Sequence, residues 1–325
     1  MPRGAGIQVI GDHMVKKARE PRLGVSIGKL AMKNPVAVAS GTFGYADEFS
    51  AFMDLGRLGA IVTKTVTLKA RKGNPAPRTC ETAAGMLNAI GLENPGISAF
   101  IEEKLPFLRK TGVPVVMSIA SEGPLEEFLE LAAAIDPLEA VAAIEINISC
   151  PNVSGRGKCK LVSQDPKLSA KAVSLVRKAT SKPLITKLSP NVTDIAEIAR
   201  AVEGAGSDAV SLINTLSGMA IDLGTRRPKL GNVFGGLSGP AIKPVALRMV
   251  WEVFNAVKVP VVAMGGIMDA RDALEFIVCG ASCVCPGTAN FINPSCAVEI
   301  IDGIRDYCVS NGIADINELK GSLKL

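Results

Sequence analysis

Eight short runs of β-branched and small apolar residues recur along the chain: Val36–Ser40, Ile61–Lys64, Val115–Ala120, Ile144–Ser149, Leu184–Leu188, Ala209–Asn214, Val259–Gly265 and Ser282–Gly287. Amphipathic stretches with helical spacing lie between them, at Glu48–Leu58, Pro124–Ala134, Lys167–Ala179, Asp194–Glu203, Pro240–Val257 and Ala270–Val278. Strands that alternate with helices pair in parallel, because each helix returns the chain to the end where the next strand starts. Eight such units in 325 residues match the arithmetic of an α/β fold of TIM (β/α)8 barrel type, whose typical size is about 250 residues. A doubly wound open sheet is the competing arrangement. No low-complexity linker divides the chain, so the expected organisation is a poorly ordered N-terminal extension, 1–22, and one barrel domain, 23–325. Met14 opens Met-Val-Lys-Lys and structure signals begin only near Leu23; residues 1–13 therefore read as an upstream extension.

Composition removes several functions. The sole histidine is His13, which excludes a histidine base, a Ser-His pair or a multi-histidine metal site. Aromatic residues are only 4%, with one Trp and two Tyr, a poor supply of stacking platforms for single-stranded nucleic acid. The net charge is +5, and +3 of it falls in residues 1–22, so the body shows no basic footprint for nucleic acid. There is no apolar run of about 18 residues and no clear signal peptide. The eight cysteines, Cys80, Cys150, Cys159, Cys279, Cys283, Cys285, Cys296 and Cys308, lack a regular disulfide framework. A cytoplasmic protein with reduced thiols, no membrane segment and no nucleic-acid partner is expected.

The strand ends carry the chemistry. Ser40-Gly41, Lys64, Ser118, Asn147, Lys187, Asn214, Gly265-Gly266 and Gly287-Thr288 would share one mouth of a barrel, the end where barrel active sites sit. Lys64 and Lys187 there suggest an anionic ligand or cofactor, against the ordinary alternative of snorkelling surface lysines. Glycines after the last two strands suit a phosphate group, against the alternative of tight turns. Cys150 follows a strand end and is either a packing thiol or a general base on a carbon acid, since an ordinary thiol titrates near about 8.5. Asn88, Asn94, Asn147, Asn152 and Asn214 are turn residues singly and suit an amide-rich substrate together. Cys279, Cys283, Cys285 and Cys296 match neither zinc nor iron–sulfur spacing, so core packing is expected and no metal site. Two long excursions, 65–95 and 216–239, are expected as lids or small hairpins at the mouth.

The ordered set Lys64…Gly73-Asn74-Pro75-Ala76-Pro77-Arg78, Gly85-Met86-Leu87-Asn88-Ala89-Ile90-Gly91-Leu92-Glu93-Asn94-Pro95-Gly96, Asn147-Ile148-Ser149-Cys150-Pro151-Asn152 and Met264-Gly265-Gly266-Ile267 closely resembles dihydroorotate dehydrogenase of class 1, over about residues 23–320. Lys187-Leu-Ser-Pro-Asn-Val-Thr-Asp194, Ile213-Asn214-Thr215-Leu216 and Gly235-Gly-Leu-Ser-Gly-Pro-Ala-Ile-Lys-Pro244 are most similar to the NAD-linked subclass, 1B. The resemblance implies oxidation of dihydroorotate to orotate in pyrimidine biosynthesis, with proton loss from C5 and hydride transfer from C6 to FMN. It implies Cys150 as the base and Lys64 as a second catalytic residue. Asn88, Asn147, Asn152, Asn214 and Thr215 would hold the substrate. Ser40, Gly41, Lys64, Thr65, Asn147, Lys187, Ile213, Gly239, Gly265, Gly266, Gly287 and Thr288 would bind FMN. It further implies a partner subunit carrying FAD and a [2Fe-2S] cluster, around a homodimer of catalytic chains in a heterotetramer.

Two stretches depart from the family pattern: the basic loop 153–160 with its extra Cys159, and Cys285-Pro286 ahead of Gly287, where proline removes one backbone donor. The alternatives are a class 1A enzyme that passes electrons to fumarate without a partner, a barrel lyase or aldolase using Lys64 or Lys187 as a Schiff base, and a non-catalytic protein on a decayed barrel.

Overall fold

Seven strands form one parallel sheet in the order Ile61–Val62, Val115–Ile119, Val141–Asn147, Leu184–Lys187, Ala209–Leu212, Val261–Ala263 and Ala281–Val284. The molecule is described by a computed structural model over residues 20–121, 123–148 and 162–325. Almost every strand residue is buried on both faces, which is why the strands read as unbroken apolar runs without alternation. Spatial order follows chain order and never reverses. A doubly wound sheet must reverse at its switch point, so that alternative fails.

The first expected strand, Val36–Ser40, is not a regular strand. Only Val36 pairs, through an isolated parallel bridge to Val284. Pro35 has no N–H to give, and the Val36 N–H goes to the Asn34 side chain at 3.1 Å. The segment still lies between the two ends of the sheet. Ala37 and Ala39 donate to the carbonyls of Val284 and Pro286, both at 3.0 Å, while Gly59 donates to the Val36 carbonyl at 2.8 Å.

Helices begin where short acidic side chains cap them. Asp165, Asp194 and Asp269 each accept backbone N–H groups at the start of Pro166–Ala179, Ile195–Gly204 and Ala270–Val278, satisfying donors that the first turn leaves unpaired. The buried stripe Ile195, Ile198, Ala199 and Val202 shows the spacing that lays one helix face on the sheet.

The expected helix Glu48–Leu58 is instead two 3-10 turns, Asp47–Phe49 and Leu55–Arg57. Asp54 accepts the Gly56 N–H at 2.9 Å, so a side chain competes with the helical bond in mid-segment. The expected helix Pro240–Val257 opens as a 3-10 turn, Pro240–Ile242, before Lys243–Phe254. Cys296–Ser310 and the helical stretch from Ile97 to Lys110, with a π turn at Phe100–Lys104, were not among the expected elements.

The two excursions meet. The hairpin Thr79–Thr82/Gly85–Asn88 and the strands Leu216–Met219 and Phe234–Ser238 form one four-stranded antiparallel sheet. Its central seam pairs Gly236 with Asn88, Leu237 with Leu87 and Ser238 with Met86, above a small core of Leu87, Ala89 and Leu230. At the other extremity Arg22, on the N-terminal side of the expected boundary, donates its N–H to the Ala314 carbonyl at 2.9 Å and accepts from Ile316 at 2.9 Å. Residues 1–19, including His13 and Met14, lie outside the described residues.

Candidate active site at the carboxyl ends of the strands

Parallel register sets the floor of the site. Asn147 pairs with Lys187 and Lys187 with Ser211, and registered residues of parallel strands present their side chains to the same face. A cavity of about 250 Å³ opens above them, roofed by the antiparallel sheet. That volume approaches the roughly 300 Å³ lower end of small-molecule sites and suits a planar ring better than a polymer.

Of the residues expected at the site, Ser40, Gly41, Lys64, Thr65, Asn88, Asn147, Lys187, Asn214 and Thr215 all line this cavity. Residues 35–39 deliver Ser40 and Gly41, and the Ile61–Val62 strand delivers Lys64 and Thr65. The hairpin delivers Asn88, whose amide donates to the Gly236 carbonyl at 3.3 Å across the seam. Cys150, Asn152 and the 153–160 loop lie outside the described residues; Asn147, which lines the cavity, stands three residues before Cys150.

Ile213, Gly239, Gly265, Gly266, Gly287 and Thr288 fall outside the cavity lining. Thr288 is tied to it by a 2.8 Å hydrogen bond from its hydroxyl to Ser238, which does line it. Gly266 has φ +79°, and a Cβ there would come within 2.8 Å of the Lys243 backbone, so only glycine fits. Gly41 is the converse case. At φ +88° its missing side chain would meet no atom within 4 Å, leaving open space at the cavity wall that a ligand can fill.

Asn94 does not contribute. It is buried, accepting from Thr67 and Gly96 and donating to Leu92 and Thr67, which uses its full capacity to pin the end of the first excursion.

Several residues enter that the sequence reading assigned no role. Asn191 donates to the Thr215 carbonyl at 3.0 Å and accepts the Ser217 N–H at 2.9 Å, fixing the chain where it leaves the sheet. Ser238 and Phe291 complete the wall. Beneath the cavity, Ser118 and Ser211 donate to the two carboxylate oxygens of Glu145 at 2.9 and 3.1 Å. The only sequence signal for Glu145 is a lone acid inside an apolar strand.

Lys64 and Lys187 have no ion-pair partner among the described residues, whereas Glu93, also on the wall, is held by Arg78 at 2.7 Å. Two ammonium groups without an ion pair in one concavity favour an anion. Below them, the hydrogen bond with Cys283 and complete burial hold the Cys285 thiol well above its ordinary range. Both cysteines are buried and pack in the core.

Comparison with known proteins bears on this arrangement. The family model for dihydroorotate dehydrogenase matches residues 22–307. Proteins named dihydroorotate dehydrogenase B (NAD(+)), catalytic subunit, are similar along nearly their whole length. Those of Trichlorobacter lovleyi and Geotalea daltonii are each 57% identical, over 94% of this chain and 99% of theirs. That of Geobacter sulfurreducens is 54% identical, over 94% of this chain and all of its own. A cavity of strand-end lysines and amides and a family match over most of the length lead to one conclusion: the chain belongs to the dihydroorotate dehydrogenase family.

Proposed function

We propose that this chain oxidises dihydroorotate to orotate in pyrimidine biosynthesis, with FMN at the cavity, in a closed (β/α)8 barrel whose eighth strand position is taken by residues 35–39. The observation that carries this reading is the single cavity holding Lys64, Lys187, Asn88, Asn147, Asn214 and Thr215. FMN fits the residues present: two ammonium groups suit an anionic flavin and its phosphate, and the open space at Gly41 leaves room for a ring edge. When bound, FMN supplies a two-electron acceptor.

The residues of the chain do the rest. Asn88, Asn147, Asn152, Asn214 and Thr215 hydrogen-bond the amide ring and carboxylate and hold C5 near the base and C6 near the acceptor. Cys150 would take the C5 proton, and bound FMN would supply the acceptor for the hydride from C6, leaving the C5–C6 double bond of orotate. Lys64 and Lys187 would hold the flavin by placing positive charge beside it. Ser40, Thr65 and Ile213 would hold the ring, and Gly239, Gly265, Gly266, Gly287 and Thr288 would hold the phosphate through backbone N–H groups.

The relatives' name, with NAD(+) and "catalytic subunit" in it, supports an NAD-linked enzyme with a partner subunit; on this reading that partner carries FAD and [2Fe-2S] and takes the electrons out. A homodimer of catalytic chains within a heterotetramer in the cytoplasm completes the reading. No helix among the described residues is long and apolar enough to cross a membrane.

The test is the visible spectrum of the purified chain reconstituted with FMN and mixed anaerobically with dihydroorotate. Bleaching supports the reading, and NADH formation that requires the partner supports the subclass. Flavin that binds without bleaching overturns the substrate, and absence of flavin binding overturns the redox reading.

A further inference from the structure

Glu145 and Lys187 are the two buried charged residues among those described. Lys187 faces the cavity, whereas Glu145 lies below it and has no part in the proposed reaction. A buried carboxylate survives only with its oxygens satisfied, and here two serines do it. Ser118 donates to one oxygen at 2.9 Å and Ser211 to the other at 3.1 Å.

Only one of these serines leads upward. The Ser118 oxygen lies 2.9 Å from the Thr65 hydroxyl, Thr65 lies 3.1 Å from the Ser40 hydroxyl, and Asn147 donates its amide to Thr65 at 3.1 Å. Ser40, Thr65 and Asn147 all line the cavity. A hydroxyl has one proton to give, and a carboxylate has none. Ser118 therefore spends its proton on Glu145 and must accept from Thr65. Thr65, its proton spent on Ser118, must accept from both Ser40 and Asn147. The consequence appears at the cavity wall, where Ser40 turns only lone pairs toward a ligand and the amide nitrogen of Asn147 is pinned against Thr65.

We propose that Glu145 is a positioning residue that fixes, through Ser118 and Thr65, the donor and acceptor polarity of the wall formed by Ser40 and Asn147. The wall is thereby set to receive a ring N–H at Ser40. Glu145 touches no ligand and acts by removing the alternative hydroxyl orientations, so that none has to be reorganised on binding. This inference rests on the flavin reading of the cavity.

The two serines separate this role from a structural one. Both satisfy the same buried carboxylate, and only Ser118 is on the chain to the cavity. FMN affinity of deflavinated protein, read by quenching of flavin fluorescence, and the absorption band of the bound flavin are measured for Ser118→Ala and Ser211→Ala. The expected result is an affinity loss of about tenfold and a displaced flavin band for Ser118→Ala. For Ser211→Ala the expected affinity change is within about twofold, with the band unmoved. Should Ser118→Ala fail to fold, Ser118→Cys keeps the side-chain shape while weakening the donor and must show the same displaced band. Equal effects of the two serine variants on affinity and spectrum, or no effect of either, overturn the inference while leaving the flavin site intact. A wild-type chain that binds no FMN overturns the flavin reading and this inference with it.

Discussion

Gly236 stands so close to Thr215 that a methyl group added to it would lie 1.9 Å from the threonine Oγ1 and 2.6 Å from its Cβ. The same glycine is registered opposite Asn88 and accepts that residue's amide at 3.3 Å. One position without a side chain thus brings together two candidate substrate residues far apart in sequence, Asn88 of the first excursion and Thr215 just before the second. Gly236→Ala forces Thr215 and the backbone carrying it to move. The expected cost is about 1–3 kcal/mol of stability, typical of overpacking, together with a loss of orotate affinity of at least about tenfold. Thermal melting and orotate titration check both, and unchanged orotate affinity would separate Thr215 from the substrate site.

The two cavity lysines should differ in what they cost the fold. Lys187 is buried and Lys64 only partly so, and neither is ion-paired among the described residues. An unpaired buried charge opposes folding. Lys187→Met should therefore leave the flavin-free chain at least as stable as wild type while lowering FMN affinity by about tenfold or more. Lys64→Met should lower affinity with little change in stability. A flavin-free Lys187→Met chain that melts well below wild type would mean that the ammonium group supports the fold and not an anion.

How much of this was legible before folding depends on how local each cause is. Strands buried on both faces announce themselves as apolar runs, and Asp165, Asp194 and Asp269 mark helix starts within three residues of their partners. Lys64, Asn147 and Lys187 stood out because a polar residue at the end of an apolar strand has few places to go. The helix expected at Glu48–Leu58 failed because its apolar spacing gave no sign that the Asp54 side chain would capture a backbone donor. The pairing of Gly85–Asn88 with Phe234–Ser238 was invisible for another reason. It depends on the parallel sheet bringing two distant loops to one edge of the site. Glu145 was missed on the same ground, since Ser118 and Ser211, which make its burial tolerable, lie on strands remote in sequence.

Thiol reactivity offers a test of the core assignment. Burial, reinforced by nearby Glu299, pushes the Cys296 thiol up to about 12, and burial also raises Cys308. Cys80 is only partly covered. Because the thiolate is the reactive form, alkylation at pH 8 resolved by peptide should modify Cys80 while Cys283, Cys285, Cys296 and Cys308 react only after denaturation. A raised thiol contributes stability that is complete below its unfolded value of about 8.5 and declines as pH rises above it. The folded chain should lose stability from about pH 9 upward. Rapid modification of Cys296 in the native protein would contradict its burial.

Acid should act at the opposite edge of the molecule, where Arg22 joins the C-terminal segment. Asp315 caps the turn Ile316–Glu318 in a reciprocal capping box and meets Arg22 at 2.8 Å. Hydrogen bonds from the Asn317 backbone and side chain, with the Arg22 charge beyond them, hold the Asp315 carboxyl below its ordinary range. A lowered carboxyl contributes stability above its unfolded value of about 3.9, and that contribution is lost as pH falls from there through the folded value. Asp315→Asn should therefore destabilise the chain by about 0.5–1 kcal/mol near pH 7 and progressively less below about pH 4. Arg22→Ala should cost less, because its guanidinium is largely exposed and the ion pair is screened. Denaturant melts of both variants at neutral and acid pH separate the two contributions. An Asp315→Asn deficit of equal size at both would assign the effect to capping geometry and remove the charge from the explanation.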